Sequence, residues 1–347
     1  MSDDQENDEP VLLAADNFTP PSRTPWGGQR IRALKRRWVG DGAPVGEAWE
    51  LSVEPSFPSR CDPGGEPLAA RIRRAPEAWL GEERGGTALL VKLLDAAEPL
   101  SVQIHPRDGA PGLQADESGK PECWYVVRRE ERAGIYLGLN EGVDAAAMAE
   151  AIDRGGDASA LLPFVPVEPG DFFVIEAGTP HCIGGGVTLV EPQRVAPGRR
   201  GVTYRYWDWG RRYAADGALD PGGQPRALHR DEALASTDWS LPRGEGLLQR
   251  VRLRAGPVDR ASAARVELLC APSDAPLASS ALRVARLAGT GEVSLPSWPV
   301  LRAVTVLEGQ VELGGLVIDA GRTAAVPAAF TPPVMFRQAH AILSAAA

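Results

Sequence analysis

Three short, widely separated stretches of the chain carry side chains suited to one metal site. Ser101-Val-Gln-Ile-His105-Pro holds Gln103 and His105, Lys120-Pro-Glu-Cys-Trp124 holds Glu122, and Gly178-Thr-Pro-His181 holds His181. Two imidazoles with two oxygen donors suit a divalent transition ion. Gln103 and His105 stand two apart in an apolar, β-branched run, so a strand turns both to one face while Val102 and Ile104 pack on the other. Each residue also has an ordinary structural explanation: a hydrogen-bonded strand histidine, a glutamine packed beside it, a Glu122 paired with Lys120 or an arginine. Economy argues for the metal. The chain has only four histidines, and two of them fall in apolar, glycine-punctuated strands beside other donors. His229 and His340 lack such surroundings and read as surface or interdomain residues. On residue types alone, a metal centre and polar strand packing both stand.

The elements that must bring these stretches together are mostly strands. Short apolar runs cut by Gly and Pro form the pattern of a β-sandwich or barrel. The clearest cover 88–94, 100–105, 123–127, 134–139, 171–176 and 187–191, with loops at 106–119 and 192–200. Helical periodicity is scarce: an alanine-rich segment at 144–152 with an acidic start, and a shorter one at 76–80. A second β-rich block runs from about Leu247 to the C-terminus. Gly170-Asp-Phe-Phe-Val-Ile-Glu-Ala-Gly178 and Gly321-Arg-Thr-Ala-Ala-Val-Pro327 share a glycine, a short strand and a turn. Both resemble the second cupin motif. The first keeps Gly178 and His181 but has Glu176 at the proline position; the second keeps Pro327 but lacks the glycine and histidine. The expected architecture is mostly β, two jelly-roll (cupin-type) domains with a few short helices. An acidic tail at 1–16, expected to be disordered, precedes a metal-binding domain at 17–240 and a degenerate jelly roll at 241–347.

Composition narrows the function classes. The 347 residues suffice for a large core, and the net charge of −9 is spread over mixed acidic and basic positions. Nothing marks a nucleic-acid or membrane surface, no run approaches membrane-spanning length, and the acidic start is unlike a secretory signal. The four cysteines (Cys61, Cys123, Cys182, Cys270) form no Cys-x-x-Cys pair. Cys123 and Cys182 each follow a proposed ligand, so on strands they point away from it and serve as small apolar fillers. A reduced, cytoplasmic protein is the expectation. The 37 basic residues include only three lysines, Lys35, Lys92 and Lys120. In so arginine-biased a chain, a surviving lysine either marks a position where a planar, permanently charged guanidinium cannot replace it or falls near a motif by chance.

At this point the motifs carry a family resemblance. Pro99-Leu-Ser-Val-Gln-Ile-His-Pro106, Gly119-Lys-Pro-Glu-Cys-Trp-Tyr125 and the stretch from Gly170 to Gly184 resemble successive motifs of type I phosphomannose isomerases. So do Trp26-Gly-Gly28, Gly46-Glu-Ala-Trp-Glu-Leu-Ser52 and Tyr204-Arg-Tyr-Trp-Asp208, all in family order between about residues 17 and 231. The C-terminal block matches only in general character. The resemblance implies a zinc-dependent aldose–ketose isomerase acting on mannose 6-phosphate and fructose 6-phosphate. It implies one Zn2+ per chain, or another divalent metal, held by Gln103, His105, Glu122 and His181. It also implies functional roles for Lys120, Ser101, Arg205 and Glu191.

Such an isomerisation moves a proton between C1 and C2 through an enediolate, which calls for a cation, a base and a cationic pocket for a dianionic phosphosugar. Glu191 is the first candidate base, with Lys120 as alternative or shuttle. Arg205 stabilises the enediolate or clamps phosphate, and Lys92, Lys120, Arg205 and Ser101 are candidates for substrate binding. One departure stands out: the link from Glu191 to Arg205 is longer than the family form and adds Arg199-Arg200. Rival readings are an isomerase of another or unphosphorylated sugar, a cupin metal oxygenase, and a non-catalytic sugar-binding module. No nucleic-acid or membrane partner is expected; a monomer is plausible, the oligomeric state being open.

Overall fold

The computed structural model describes residues 8–254 and 256–347. Three large sheets carry the fold. A six-stranded antiparallel sheet runs in the order Arg252–Arg254, Asp171–Ile175, Glu122–Arg129, Val187–Arg194, Leu89–Ala96, Glu47–Leu51. Facing it is a five-stranded antiparallel sheet: Tyr204–Trp207, Val102–Ile104, His181–Ile183, Gly134–Leu137, Phe164–Pro166. The third sheet has nine strands and contains the long C-terminal strands Leu282–Val293, Arg302–Leu313 and Val334–Ala346.

Side-chain alternation explains the layering. On Glu122–Arg129, Trp124 and Val126 point toward the five-stranded sheet and pack with Leu94, Phe173, Leu189, Ile135 and Ile183. Cys123 and Tyr125, on the opposite face, pack with Val91, Phe172 and Val190 against Cys270, Leu282, Leu307 and Ile342 of the nine-stranded sheet. That sheet curls about its own core, with Val304, Val306, Val311, Phe336 and Leu343 on its inner face. The protein is thus mostly β, two cupin-type jelly rolls packed back to back with short helices, as expected. Both strands of the cupin-like repeat form, each after a glycine with positive φ, 93° at Gly170 and 82° at Gly321. Among the described residues no helix is long and apolar enough to cross a membrane.

Two boundaries differ from expectation. Residues 1–7 of the acidic tail lie outside the described residues, but Val11–Leu13 is a strand, paired with both Thr323–Val326 and Cys61–Asp62 of the nine-stranded sheet. At the other boundary, Arg252–Arg254 closes the edge of the six-stranded sheet, beyond the expected division at 240/241. Strands of two or three residues carry no periodic signal, and their pairing is long-range. The helix Arg30–Val39 is a further difference from expectation. Its buried positions are Ile31 and Lys35, so a lysine stands where the apolar stripe would continue.

Lys35 joins the two halves of the molecule. Its ammonium lies 2.5 Å from Glu50 Oε1, with both side chains at most 1% exposed, and donates to Asn17 Oδ1 at 3.1 Å. Glu50 Oε2 accepts from Thr323 Oγ1 of the nine-stranded sheet at 2.7 Å. Burial pulls the Lys35 amine down, and Glu50 opposes that shift. Removing one partner of a buried pair leaves the other charge uncompensated. Lys35→Met is therefore expected to cost about 3–5 kcal/mol in denaturant unfolding; a loss below about 1 kcal/mol would show the pair to be dispensable.

Candidate metal centre

The facing sheets present polar residues at one end of their shared interior. In the five-stranded sheet His181 is the cross-strand partner of Gln103, and Gln103 is the partner of Arg205. Val102 and Ile104 pack outward with Cys182, Met148 and Tyr206, so Gln103 and His105 face inward as expected. From the opposite sheet Glu122 points inward in phase with Trp124, and Glu191 and Gln193 follow Leu189 on the same face. Gly178, at φ 90°, turns the chain into His181 where a side chain would press on Ser236 O and Asp238.

Nitrogen and oxygen atoms of His105, Glu122 and His181 lie within 4.8 Å of one another, and all three residues are buried. His105 Nε2 is 3.2 Å from Glu122 Oε2, and His181 Nε2 is 3.5 Å from Glu122 Oε1. Each imidazole uses Nδ1 against a backbone carbonyl, Val202 O at 3.0 Å and Thr179 O at 2.9 Å. Carbonyls only accept, so Nδ1 carries the proton in both rings and each Nε2 lone pair points inward. His105 Nε2 has no hydrogen-bond partner although it is buried. A lone pair held 3.2 Å from an anionic oxygen is repulsive unless a cation lies between them. The donor set therefore fits a metal ion. Gln103 sits at 3.3 Å from His181 Nε2 through its amide nitrogen, while Ser101 Oγ donates to its Oε1 at 3.1 Å. The opposite amide orientation turns Oε1 inward and lets Nε2 donate to Ser101.

Electrostatics agree with a site built for a cation. Burial pulls His105 down to about 3, with Lys120 adding to the effect, and burial likewise lowers His181, so both rings are neutral ligands at neutral pH. Burial acts to raise Glu122, but the groups round it, the Lys120 ammonium among them, outweigh that and hold the carboxyl well below its ordinary value. Glu191 goes the other way, raised to about 8 by burial and by the Glu122 carboxylate. Burial lowers Lys120, which lies 3.7 Å from Glu122.

A cavity opens beside this cluster, lined by Ser101, Gln103, Lys92, Lys120, Glu191 and Arg205 among others. The candidate metal ligands, Gln103, His105, Glu122 and His181, and the candidate catalytic and substrate-binding residues, Ser101, Lys92, Lys120, Glu191 and Arg205, thus lie in one place, with Gln103 and Lys120 in direct contact with His181 and Glu122. Lys92 bridges Glu47 and Glu191, 3.7 Å from each. Ser101 orients Gln103 in addition to lining the cavity. Cys123 and Cys182 are buried behind the site as expected. Arg199 and Arg200 do not line the cavity; Arg199 donates to Glu117 O, and Arg200 pairs with Asp116 and Glu117. The 192–200 segment is also not wholly a loop, because the Val187–Arg194 strand continues through Pro192. His340 is interdomain, 2.9 Å from the Tyr125 hydroxyl, whereas His229 caps the strand of Arg205, 3.1 Å from its backbone nitrogen.

Two residues missed by sequence reasoning couple the carboxylates. Gln193 Nε2 donates to Glu122 Oε2 and Glu191 Oε2, both at 2.7 Å. Trp124 Nε1 donates to Glu122 Oε1 at 3.0 Å and Glu191 Oε1 at 3.1 Å. The two-residue spacing of Gln193 from Glu191 was the available signal. Gln193→Leu removes one bridge from each carboxylate and is expected to weaken metal affinity roughly 10–100-fold. Competition titration with a chromophoric chelator measures this, and unchanged affinity would remove Gln193 from the support of the site.

Fold and site together define a mostly β, cupin-type protein of two jelly rolls, with a buried His–Glu–His cluster whose donors could hold a metal ion. The chain belongs to the mannose-6-phosphate isomerase family. It is 32% identical over 229 residues to the putative mannose-6-phosphate isomerase YvyI of Bacillus subtilis, covering 64% of this chain and 67% of that one. It is 35% identical over 216 residues to mannose-6-phosphate isomerase of Streptococcus mutans, covering 60% of this chain and 63% of the relative's length. The crystal structure of Bacillus subtilis mannose 6-phosphate isomerase superposes with a TM-score of 0.75 at 24% identity, covering 97% of this chain and 99% of that one. A zinc-bound mannose 6-phosphate isomerase has the same fold, with a TM-score of 0.66 at 16% identity, covering 97% of this chain and 99% of that one. No protein-family model matches the chain.

Proposed function

We propose that this protein interconverts mannose 6-phosphate and fructose 6-phosphate by moving a proton between C1 and C2 through an enediolate. The observation that carries the reading is the placement of Glu191. Its buried carboxyl, raised to about 8, lines the same cavity as Gln103 and is tied to the ligand Glu122 through Trp124 and Gln193. A carboxylate poised near neutrality is suited to take and return a carbon-bound proton. When bound by Gln103, His105, Glu122 and His181, a divalent ion supplies Lewis-acid stabilisation of charge developing on the sugar oxygens. Zinc is the ion favoured by the donor set and by the zinc-bound structural relative.

The remaining roles fall to this chain's own residues. Glu191 acts as the base, and Lys92 keeps its carboxylate company from 3.7 Å. Lys120, its amine lowered by burial, is a second group able to exchange a proton with a sugar hydroxyl. Gly201 keeps the Lys120 stem in place, since a Cβ there would lie 2.7 Å from Lys120 Cδ. Arg205 offers a guanidinium whose Nε is buried without a partner, a ready donor for the enediolate oxygens. A coupled assay separates the rivals. Catalytic efficiency toward mannose 6-phosphate is expected to exceed that toward free mannose by a hundredfold or more, on the order expected for a site built around a polar group. Equal efficiencies would assign an unphosphorylated sugar, and binding without turnover would assign a sugar-binding module.

A further inference from the structure

We infer that Arg23 and Arg226 form a phosphate-binding subsite at the outer part of this cavity, a deepening that rests on the phosphosugar reading above. Both line the cavity with Arg205, and nothing in the metal centre or the proton transfer requires them. The lysines of the cavity are already committed. Lys92 lies 3.7 Å from both Glu47 and Glu191, and Lys120 lies 3.7 Å from Glu122, so their charge is already balanced by neighbouring carboxylates. Among the described residues, neither Arg23 nor Arg226 forms an ion pair, and Arg205 forms none either. Glu47 and Asp208 lie within electrostatic range of Arg23 and Arg205, but no carboxylate takes up these guanidiniums directly, so positive charge with open donors is gathered here in a protein with a net charge of −9.

Their geometry leaves donors free. Arg23 stacks its guanidinium over the Trp49 ring, 4.7 Å from the centroid, and Arg226 stacks over Tyr213 at 4.5 Å. Stacking occupies the face of a guanidinium and leaves its in-plane N–H groups for a bidentate acceptor. Arg226 spends only Nη2 within the protein, on Ser22 O at 3.4 Å and Arg23 O at 3.2 Å. That contact ties the turn carrying Arg23 to the segment carrying Arg226. The same segment runs on to His229, whose backbone nitrogen donates to Arg205 O at 2.9 Å, placing Arg226 close to Arg205. Glu54, a carboxylate on the same wall, accepts from Ser56 Oγ at 2.6 Å. Two stacked forks with free edges match a phosphate dianion better than a neutral hydroxyl.

Steady-state kinetics of the metal-loaded Arg23→Ala and Arg226→Ala variants, with inorganic phosphate as inhibitor, test this. KM for mannose 6-phosphate and Ki for inorganic phosphate are expected to rise together, each about tenfold or more, while kcat stays within about threefold. Arg226→Lys should recover only part of the loss, because a point charge does not reproduce the fork. Unchanged KM and Ki in Arg23→Ala would overturn the subsite. Arg23 is exposed, so that variant keeps the test alive if removing Arg226 unsettles the 22–23 turn. If the wild-type holoenzyme does not turn over mannose 6-phosphate, the proposed function falls on its own. Calorimetric titration with inorganic phosphate then still decides the subsite: weaker binding to Arg23→Ala supports it, and equal binding overturns it.

Discussion

His105→Ala and His181→Ala are each expected to lose both the bound metal and the isomerase turnover. The two rings are held by Val202 O and Thr179 O with their lone pairs turned to Glu122, and no other imidazole is near enough to substitute. Removing one leaves a carboxylate, one imidazole and an amide, too few strong donors to retain a divalent ion against dilution. Metal-assisted stabilisation of developing charge is worth several kcal/mol, so turnover should fall by on the order of a thousandfold or more. Metal analysis and turnover, measured on the same folded preparation, check both halves. A variant that keeps stoichiometric metal and normal turnover would place the centre elsewhere.

Glu191→Gln is expected to separate chemistry from metal binding. The substitution preserves size but removes the group able to accept a carbon-bound proton, and none of the metal donors is altered. A lost general base costs roughly 10²- to 10⁴-fold in kcat, while metal content should be retained. The pH profile supplies a second readout. Burial and the Glu122 carboxylate raise this carboxyl to about 8. A bound divalent cation favours the ionised form, so the holoenzyme's acid limb should lie below that value. Activity should climb with pH as Glu191 loses its proton, and the limb should vanish in the glutamine variant. Near-native turnover in Glu191→Gln would transfer the role of base to Lys120.

Much of the site was legible because its chemistry is concentrated in period-two strands. Gln103 and His105 on one face, with Val102 and Ile104 on the other, follow from spacing alone. The lysine bias was equally informative: Lys35, Lys92 and Lys120 are all buried and each lies close to a carboxylate. The missing parts depend on contacts between distant segments. Gln193 and Trp124 acquire meaning only when their strands lie side by side, and Arg23 and Arg226 only when the 22–23 turn meets the 226–229 segment. Val11–Leu13 and Arg252–Arg254 are too short to announce a strand, and they join sheets whose other members lie far along the chain. The Arg30–Val39 helix hid its inner face behind a buried lysine.

The most direct test of the central claim is conversion of mannose 6-phosphate to fructose 6-phosphate before chelation, after verified metal removal, and after zinc add-back. The account predicts turnover that disappears with the metal and returns with zinc. Undiminished turnover in protein shown to be metal-free would contradict it, as would a zinc-loaded protein that binds the phosphosugar but never converts it.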